Sequence, residues 1–111
     1  MATKANLVID QGATFATELT LTDENGDVLN LSGFAANSQM RKWYTSSNPS
    51  ATFATSINVA SGTITLSLNS TSTASLTAGR YVYDVEITDN NTGDISRVVE
   101  GIITVTPNVT R

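Results

Sequence analysis

The stretch that decides the fold is RYVYDVEI, which occupies residues 80–87. Its odd positions, from Tyr81 to Ile87, are aromatic or apolar, whereas Asp84 and Glu86 stand at even positions. Successive side chains of a β-strand point to opposite faces, so a period of two separates these residues onto two sides. The stretch therefore predicts a strand with one dry side and one wet side, as in an antiparallel sheet.

Similar runs lie on both sides of this stretch. Residues 14–21 and 63–68 alternate in the same way. Taken together, the apolar runs predict strands near residues 6–10, 13–22, 27–30, 35–44, 52–59, 62–68, 79–89 and 95–106, and they permit a single helical turn at residues 70–76. Seven or eight short strands of this kind are typical of a β-sandwich or a small barrel. One sheet alone would leave its dry face uncovered, which favours two packed sheets.

Turn residues separate the strands. The pair Asn25-Gly26 is a strong hairpin signal, because both residues tolerate positive φ. Residues 89–94 and the Asn48-Pro49 pair mark further turns. The chain has 111 residues, enough for one modest core. We therefore predict a single domain over residues 1–111, with short flexible termini.

The dry faces define the expected core. Its members are apolar or aromatic residues that share the inward side of a predicted strand or lie close to one. They are Phe15, Leu19, Leu21, Leu31, Met40, Phe53, Ile57, Ile64, Leu66, Leu68, Leu76, Tyr81, Tyr83, Val85, Ile87, Val99, Ile103 and Val105.

The composition disfavours several classes of function. Six basic residues stand against ten acidic ones, for a net charge of −4, which disfavours a nucleic-acid partner. The chain has no histidine and no cysteine, so it lacks the commonest general base, the thiol nucleophile and the thiolate metal ligand. The longest apolar runs are far too short for a membrane span or a signal peptide. We expect a protein made in a cytoplasm, with no cofactor and no membrane partner.

Three patterns resemble chemical sites, and each has a simpler structural explanation. Asp84 and Glu86 are paired carboxylates, but they fall on a wet face, which is a poor place for a general acid. Residues 23–27 and 89–94 resemble calcium loops, but hairpin turns need the same residues. We therefore expect no catalytic residue and no metal site.

The most distinctive local cluster is RKWY, residues 41–44. Basic and aromatic residues are enriched at protein interfaces, and they also bind carbohydrate or single-stranded nucleic acid. Alternatively, Trp43 anchors the core while Arg41 faces solvent. The sequence leaves these three interpretations open.

The predicted last strand is apolar on both faces. Val98 and Ile102 alternate with Val99, Ile103 and Val105. Such a strand is either covered twice within its own domain or covered once by a partner chain. Mid-strand Gly101 indicates a bulge or the close approach of another backbone.

The order of these features resembles that of a known group of proteins. The segments that carry the resemblance are LVIDQGATF (7–15), ENGD (24–27), LSGF (31–34), SQMRK (38–42), AGRYVYDV (78–85), RVVEG (97–101) and VTPNVT (105–110). In this order they resemble small virion structural proteins of tailed bacteriophages, especially marine cyanophages. They are also similar to the N-terminal immunoglobulin-like domain of the phage upper baseplate protein family.

The resemblance implies an immunoglobulin-like antiparallel β-sandwich that acts as a repeated, non-enzymatic virion subunit and is made in the cytoplasm of a host bacterium. Its partners would be other virion proteins of the tail, baseplate, fibre or capsid, in many copies per particle. The baseplate relatives carry a further C-terminal region that reaches a fibre, whereas here the sandwich ends near Arg111, which fits a small adaptor or a capsid decoration protein equally well. A carbohydrate-binding or adhesive module is the alternative from a different class. The residues expected to make contacts are Arg41, Trp43, Tyr44, Val98, Glu100, Ile102, Pro107 and Val109, the last two in a terminal arm that Pro107 releases from the last strand.

Overall fold

The computed structural model describes residues 3–22 and 25–109. Over those residues the chain is almost entirely β-structure with one short helix. In chain order the elements are β1 (Thr3–Lys4), β2 (Leu7–Asp10), β3 (Phe15–Thr20), β4 (Phe34–Arg41), β5 (Ala51–Thr52), β6 (Ala54–Asn58), β7 (Thr63–Leu68), α1 (Ser70–Ala74), β8 (Gly79–Asp89) and β9 (Ile95–Thr106).

The strands form two sheets. The larger sheet has the order β1-β9-β8-β4-β5, with β2 also paired to β9, and the smaller sheet has the order β3-β7-β6. In an immunoglobulin-like sandwich the second, fifth and fourth strands make one sheet, and the third, sixth and seventh make the other. Here β3, β7 and β6 take the first set of places, and β4, β8 and β9 take the second. The predicted all-β sandwich is confirmed.

The N-terminal segment joins the larger sheet in parallel with β9, whereas the other pairings between the described strands are antiparallel. The segment is interrupted between β1 and β2. There the Asn6 side chain accepts a hydrogen bond from Ile102 N (3.0 Å), and Ala5 N donates to Glu100 O (2.9 Å). A Cβ on Gly101 would lie 2.1 Å from the Ala5 carbonyl oxygen. Gly101 is therefore required for this close approach, which is one of the two roles expected of it.

The core lies between the sheets and follows the alternation of the sequence. Of the 18 predicted core residues, 15 are buried, and Ile9 joins them without having been predicted. The other three, Phe15, Leu19 and Ile57, are half-buried against the core. All three lie on β3 or β6, the outer strands of the smaller sheet. They remain half-buried because this sheet is narrower than the one it covers.

Three predicted strand boundaries were wrong. Residues 27–30 form no strand: Val28 makes an isolated bridge with Thr22, and Leu29 N donates to Leu21 O. The strand at 35–44 ends at Arg41. The strand at 52–59 is divided at the buried Phe53, where the chain crosses from the larger sheet to the smaller one. Period-two patterning cannot reveal such a crossing, because the alternation continues through it.

The connection between β7 and β8 contains the helical turn that the sequence permitted. Asn69 caps α1, its side chain accepting a hydrogen bond from Ser72 N (2.8 Å). Just beyond, the buried Tyr81 donates its hydroxyl hydrogen to Thr77 O (2.6 Å). A tyrosine that bonds back to the backbone at the start of this strand is a hallmark of immunoglobulin-like sandwiches. It fixes the corner from which β8 enters the larger sheet.

Candidate protein-contact surface

The outward side of the larger sheet, here called the outer face, is formed by β4, β8 and β9. Cross-strand pairs set its composition: Arg41 lies opposite Val82, Gln39 opposite Asp84, and Asn37 opposite Glu86 on one side of β8. On the other side, Val82 lies opposite Ile102, Asp84 opposite Glu100, and Glu86 opposite Arg97. The outer face thus combines a central group of charged residues with a short apolar row at the level of Val82.

A shallow, half-open depression of about 280 Å³ lies in the outer face. Its lining is mostly polar and includes Arg41, Tyr44, Asp84, Glu86, Arg97 and Glu100. Three of these residues, Arg41, Tyr44 and Glu100, were among the predicted contact residues. The sheet pairing therefore brings together side chains that lie up to about 60 positions apart in the sequence.

Arg97 organises the charges at the centre of the depression. Its Nε lies 3.3 Å from the Asp84 carboxylate, and its Nη1 lies 3.2 Å from Glu100 Oε2. Each side chain is at least one-third exposed, so these pairs contribute no more than about 1 kcal/mol each to stability. Their main effect is to neutralise part of the negative charge at the centre.

Arg41 lies at one end of the outer face and binds uncharged groups. Its guanidinium donates to Ser46 O (2.8 Å) and to Gln39 Oε1 (2.9 Å). The first bond ties the end of β4 to the following loop, residues 42–50. Among the described residues no carboxylate lies within salt-bridge distance of Arg41, so its charge remains available to a partner.

The loop at residues 42–50 carries two exposed aromatic side chains. Trp43 is 67% exposed and Tyr44 is 83% exposed. The interpretation of Trp43 as a core anchor was wrong, because β4 ends at Arg41 and a tight turn follows. In that turn Ser46 N donates to Trp43 O (3.1 Å), and Ser46 Oγ accepts from Trp43 N (3.1 Å). The turn directs both aromatic residues away from the core.

Lys42 connects this loop to β8 through cation–π contacts. Its Nζ lies 5.0 Å from the centroid of the Tyr81 ring and 5.9 Å from that of Trp43. Cation–π contacts of this kind contribute about 0.5–1 kcal/mol at exposed sites. The loop is thus linked to the buried tyrosine corner as well as to β4.

The inward side of the same sheet contains Tyr83, whose hydroxyl donates to Ala5 O (2.5 Å). Burial raises the pKa of this phenol to about 12, because the charged phenolate would lose its hydration. The group stays protonated and acts as a hydrogen-bond donor that holds the N-terminal segment. This is a structural role on the side away from the candidate contact surface.

The structure separates the three contact residues predicted on β9. Glu100 and Ile102 lie on the outer face, with Ile102 42% exposed. Val98 is half-buried and packs against the core. The cause is a bulge: Val85 pairs with Val99 but Glu86 pairs with Arg97, so Val98 is the extra residue. The expectation that Val98 and Ile102 share one face was therefore wrong.

The C-terminal arm begins where it was predicted, since β9 ends at Thr106. Pro107 and Val109 are exposed, Val109 by 89%. Between them, however, Asn108 N donates to Gln11 Oε1 (3.0 Å), so the arm lies against the turn after β2 as far as Asn108. These residues border a separate shallow depression and lie apart from the RKWY cluster. Thr110 and Arg111 lie outside the described residues.

The described residues contain no group of three or more acidic side chains placed to hold a metal ion. In the 89–94 turn, the Asp89 carboxylate accepts a hydrogen bond from Asn91 N (2.8 Å), and Asp94 N donates to Thr92 Oγ1 (3.2 Å). These bonds are those of a hairpin turn. In the 23–27 segment, Asp23 and Glu24 lie outside the described residues.

Sequence reasoning missed Gln39, Glu86 and Arg97 as members of the surface. Alternation on β8 did place Glu86 on the wet face, but no local pattern showed that Arg97 lies across from it. The bulge at Val98 shifts the register of β9, and only the pairing with β8 reveals this shift.

No helix in the described part of the chain is both long and apolar enough to cross a membrane. No family model matches the chain, and no curated protein matches it.

Proposed function

We propose that this protein is a non-enzymatic structural subunit of a bacteriophage particle, an adaptor of the tail, baseplate or fibre attachment that packs between other virion proteins. It uses the outer face and the adjoining RKWY cluster as its contact surface. The virion assignment is supported by the resemblance of the ordered sequence segments to small phage structural proteins. The contact role is supported by the structure of the surface itself.

The single observation that carries the contact role is the exposure of the neighbouring Trp43 and Tyr44 at the end of β4, where Tyr44 helps to line a shallow depression in the outer face. Large aromatic residues and arginine are enriched at protein interfaces, and they supply most hot spots. Here two aromatic residues and Arg41 adjoin a depression that Tyr44 helps to line. Because hydrogen bonds to Ser46 restrain the backbone of this loop, binding of a partner costs less backbone entropy than it would in an unrestrained loop.

The experiment that tests the virion role is quantitative mass spectrometry of purified particles of the phage that encodes the chain. An adaptor of the tail or baseplate is expected in tens of copies per particle, co-purifying with isolated tails. A capsid decoration protein, the alternative position, is expected in hundreds of copies and can be shed while the tail remains functional. Absence of the protein from purified particles would contradict both positions.

Carbohydrate binding is a second candidate, and the exposure of Trp43 and Tyr44 favours it. Both rings can stack on a sugar, and the depression that Tyr44 helps to line offers carboxylate, guanidinium and amide groups for hydroxyl recognition. Glycan-array binding by the wild type that disappears in Trp43→Ala or Tyr44→Ala, with unchanged thermal unfolding, would support this candidate. An array without any binding would leave the protein-contact role as the remaining one.

A further inference from the structure

The outer face carries three charged side chains that make no ion pair with another described residue: Arg41 and Arg80 lie towards one end of the face, and Glu86 lies towards the other. Arg41 is opposite Val82, and Glu86 is four residues further along β8, about 13 Å away along the strand. Arg41 donates only to uncharged oxygens. Glu86 makes no ion pair within the described part of the chain, because Arg97 turns towards Asp84 and Glu100. The face is thus positive near Val82 and negative near Glu86.

The two ends of this distribution are complementary in charge, and in the centre Arg97 partly neutralises Asp84 and Glu100. Two copies can be placed face to face and related by a two-fold axis that lies in the plane between them, runs perpendicular to the strands and passes at the level of Asp84. This axis brings the Val82 end of each face against the Glu86 end of the other. Each Arg41 is then level with Glu86 of the second copy. With a two-fold axis parallel to the strands, each residue would instead lie at the same position along the strands as its counterpart in the other copy. Arg41 would then face the apolar row. Charge complementarity therefore selects the antiparallel arrangement.

The remaining features of the face are compatible with a second copy as its occupant. Val82 and the partly exposed Ile102 form an apolar row, and Arg97 reduces the charge at the centre by bridging two carboxylates. The strands β4, β8 and β9, with 8, 11 and 12 residues, give the face roughly 500 Å². Two such faces would bury roughly 1,000 Å² in total, which is the size of a weak, reversible interface.

We propose that the outer face binds a second copy of this chain, forming a two-fold dimer in which Arg41 of each copy pairs with Glu86 of the other. The proposal rests on the contact role assigned to this face, and it names the partner. In the particle, the dimer would leave the exposed Val109 and the smaller sheets on its outside, free to contact other virion proteins.

Sedimentation velocity across a wide range of protein concentrations tests the proposal. The wild type is expected to dimerise reversibly, and to do so less at high salt because the pairs are electrostatic. Arg41→Glu and Glu86→Arg each place like charges together, so each variant is expected to weaken dimerisation by about tenfold or more. In an equal mixture of the two variants every introduced charge again faces an opposite one, and a mixed dimer of wild-type affinity is expected.

A matched control carries the same change from glutamate to arginine elsewhere. Glu18→Arg, on the outward side of the smaller sheet, is expected to dimerise like the wild type. Circular dichroism and thermal unfolding verify that all variants are folded. If Arg41→Glu unfolds because its loop is lost, the Glu86→Arg variant paired with Glu18→Arg still decides the question.

A wild type that stays monomeric at all concentrations would overturn the dimer, as would variants that fail to restore association when mixed. Either result leaves the virion role intact if the protein is found in purified particles. Conversely, a dimer in solution combined with absence from particles would overturn the virion role and keep the dimer.

Discussion

The two sides of the larger sheet use the same three strands for different purposes. The inward side of β8 holds Tyr81, Tyr83, Val85 and Ile87, all buried, whereas the outward side of the same strand holds Val82, Asp84 and Glu86, all partly exposed. On the inward side each residue is fixed by packing, and the hydroxyls of the two tyrosines are also hydrogen-bonded to the backbone of other segments. On the outward side, side-chain contacts are few and salt-screened. The sheet is thus rigid on its inward side and leaves its outward side available for contacts.

The largest expected effect comes from a pair of adjacent isoleucines that point to opposite sides of β9. Ile103 is fully buried and Ile102 is 42% exposed. We expect Ile103→Ala to lower the free energy of unfolding by about 4 kcal/mol, because it leaves a cavity in the core. Ile102→Ala should lower it by less than about 1 kcal/mol while weakening dimerisation. Urea unfolding and sedimentation velocity measure the two effects.

Equal losses of stability in these two variants would contradict the division between the sides. Unchanged dimerisation of Ile102→Ala would remove the apolar row from the proposed interface.

The next effect tests the position where the N-terminal segment lies closest to β9. A Cβ on Gly101 would lie 2.1 Å from the backbone oxygen of Ala5, and backbone cannot rotate away as a side chain can. We expect Gly101→Ala to cost about 2–3 kcal/mol of unfolding free energy and to displace the segment. Hydrogen exchange of the Ala5 amide, which donates to Glu100 O, should report that displacement.

The Ala5 amide could instead be equally protected from hydrogen exchange in Gly101→Ala and in the wild type. That result would show that the close approach of Ala5 to Gly101 does not restrain the N-terminal segment.

A smaller effect is expected from the hydroxyl that holds the same segment. Tyr83→Phe removes the donor to Ala5 O and should cost about 1–1.5 kcal/mol. The folded-state pKa of Tyr83 is raised from 10.0 to about 12, so the folded state retains this proton more tightly than the unfolded state does. Its contribution to stability is therefore complete below pH 10 and is lost as the pH rises from about 10 to about 12.

Urea unfolding of both proteins between pH 8 and pH 12 checks this dependence, since other tyrosines contribute equally to each. The difference in free energy of unfolding between the wild type and Tyr83→Phe should shrink above pH 10. A constant difference would show that burial does not perturb this phenol. When Gly101→Ala is already present, Tyr83→Phe should lower the free energy of unfolding by less than it does in the wild type, because the acceptor Ala5 O is already displaced.

Much of the fold could be predicted locally. Alternation identified β8 and most of the core, because a strand with one dry face needs an apolar residue at every second position. The helical turn after β7 and the end of β9 just before Pro107 were also predicted from local signals. Ile9 was missed because Leu7-Val8-Ile9 is continuously apolar and does not alternate. The passage of the chain from the larger to the smaller sheet at Phe53 was missed because the alternation of residue types continues through this position.

The candidate surface was predictable only in part. Arg41, Tyr44 and Glu100 were identified from residue type, but the sequence placed Val98 beside Ile102, and the bulge turned it towards the core. Trp43 was left open between core and surface, because an aromatic residue after a strand suits either. Only the turn closed by Ser46 decided that it is exposed.

The sequence by itself determined the type of structure: an all-β sandwich, its inward residues, and a chain without histidine or cysteine chemistry. These follow from the residues present and from the period of two, which acts between near neighbours. Only the tertiary structure decided which strands pair, where the register of β9 shifts, and that Arg41 and Glu86 share one face without an ion pair to another described residue. Such facts depend on contacts between residues far apart in the chain, and local patterns do not encode them.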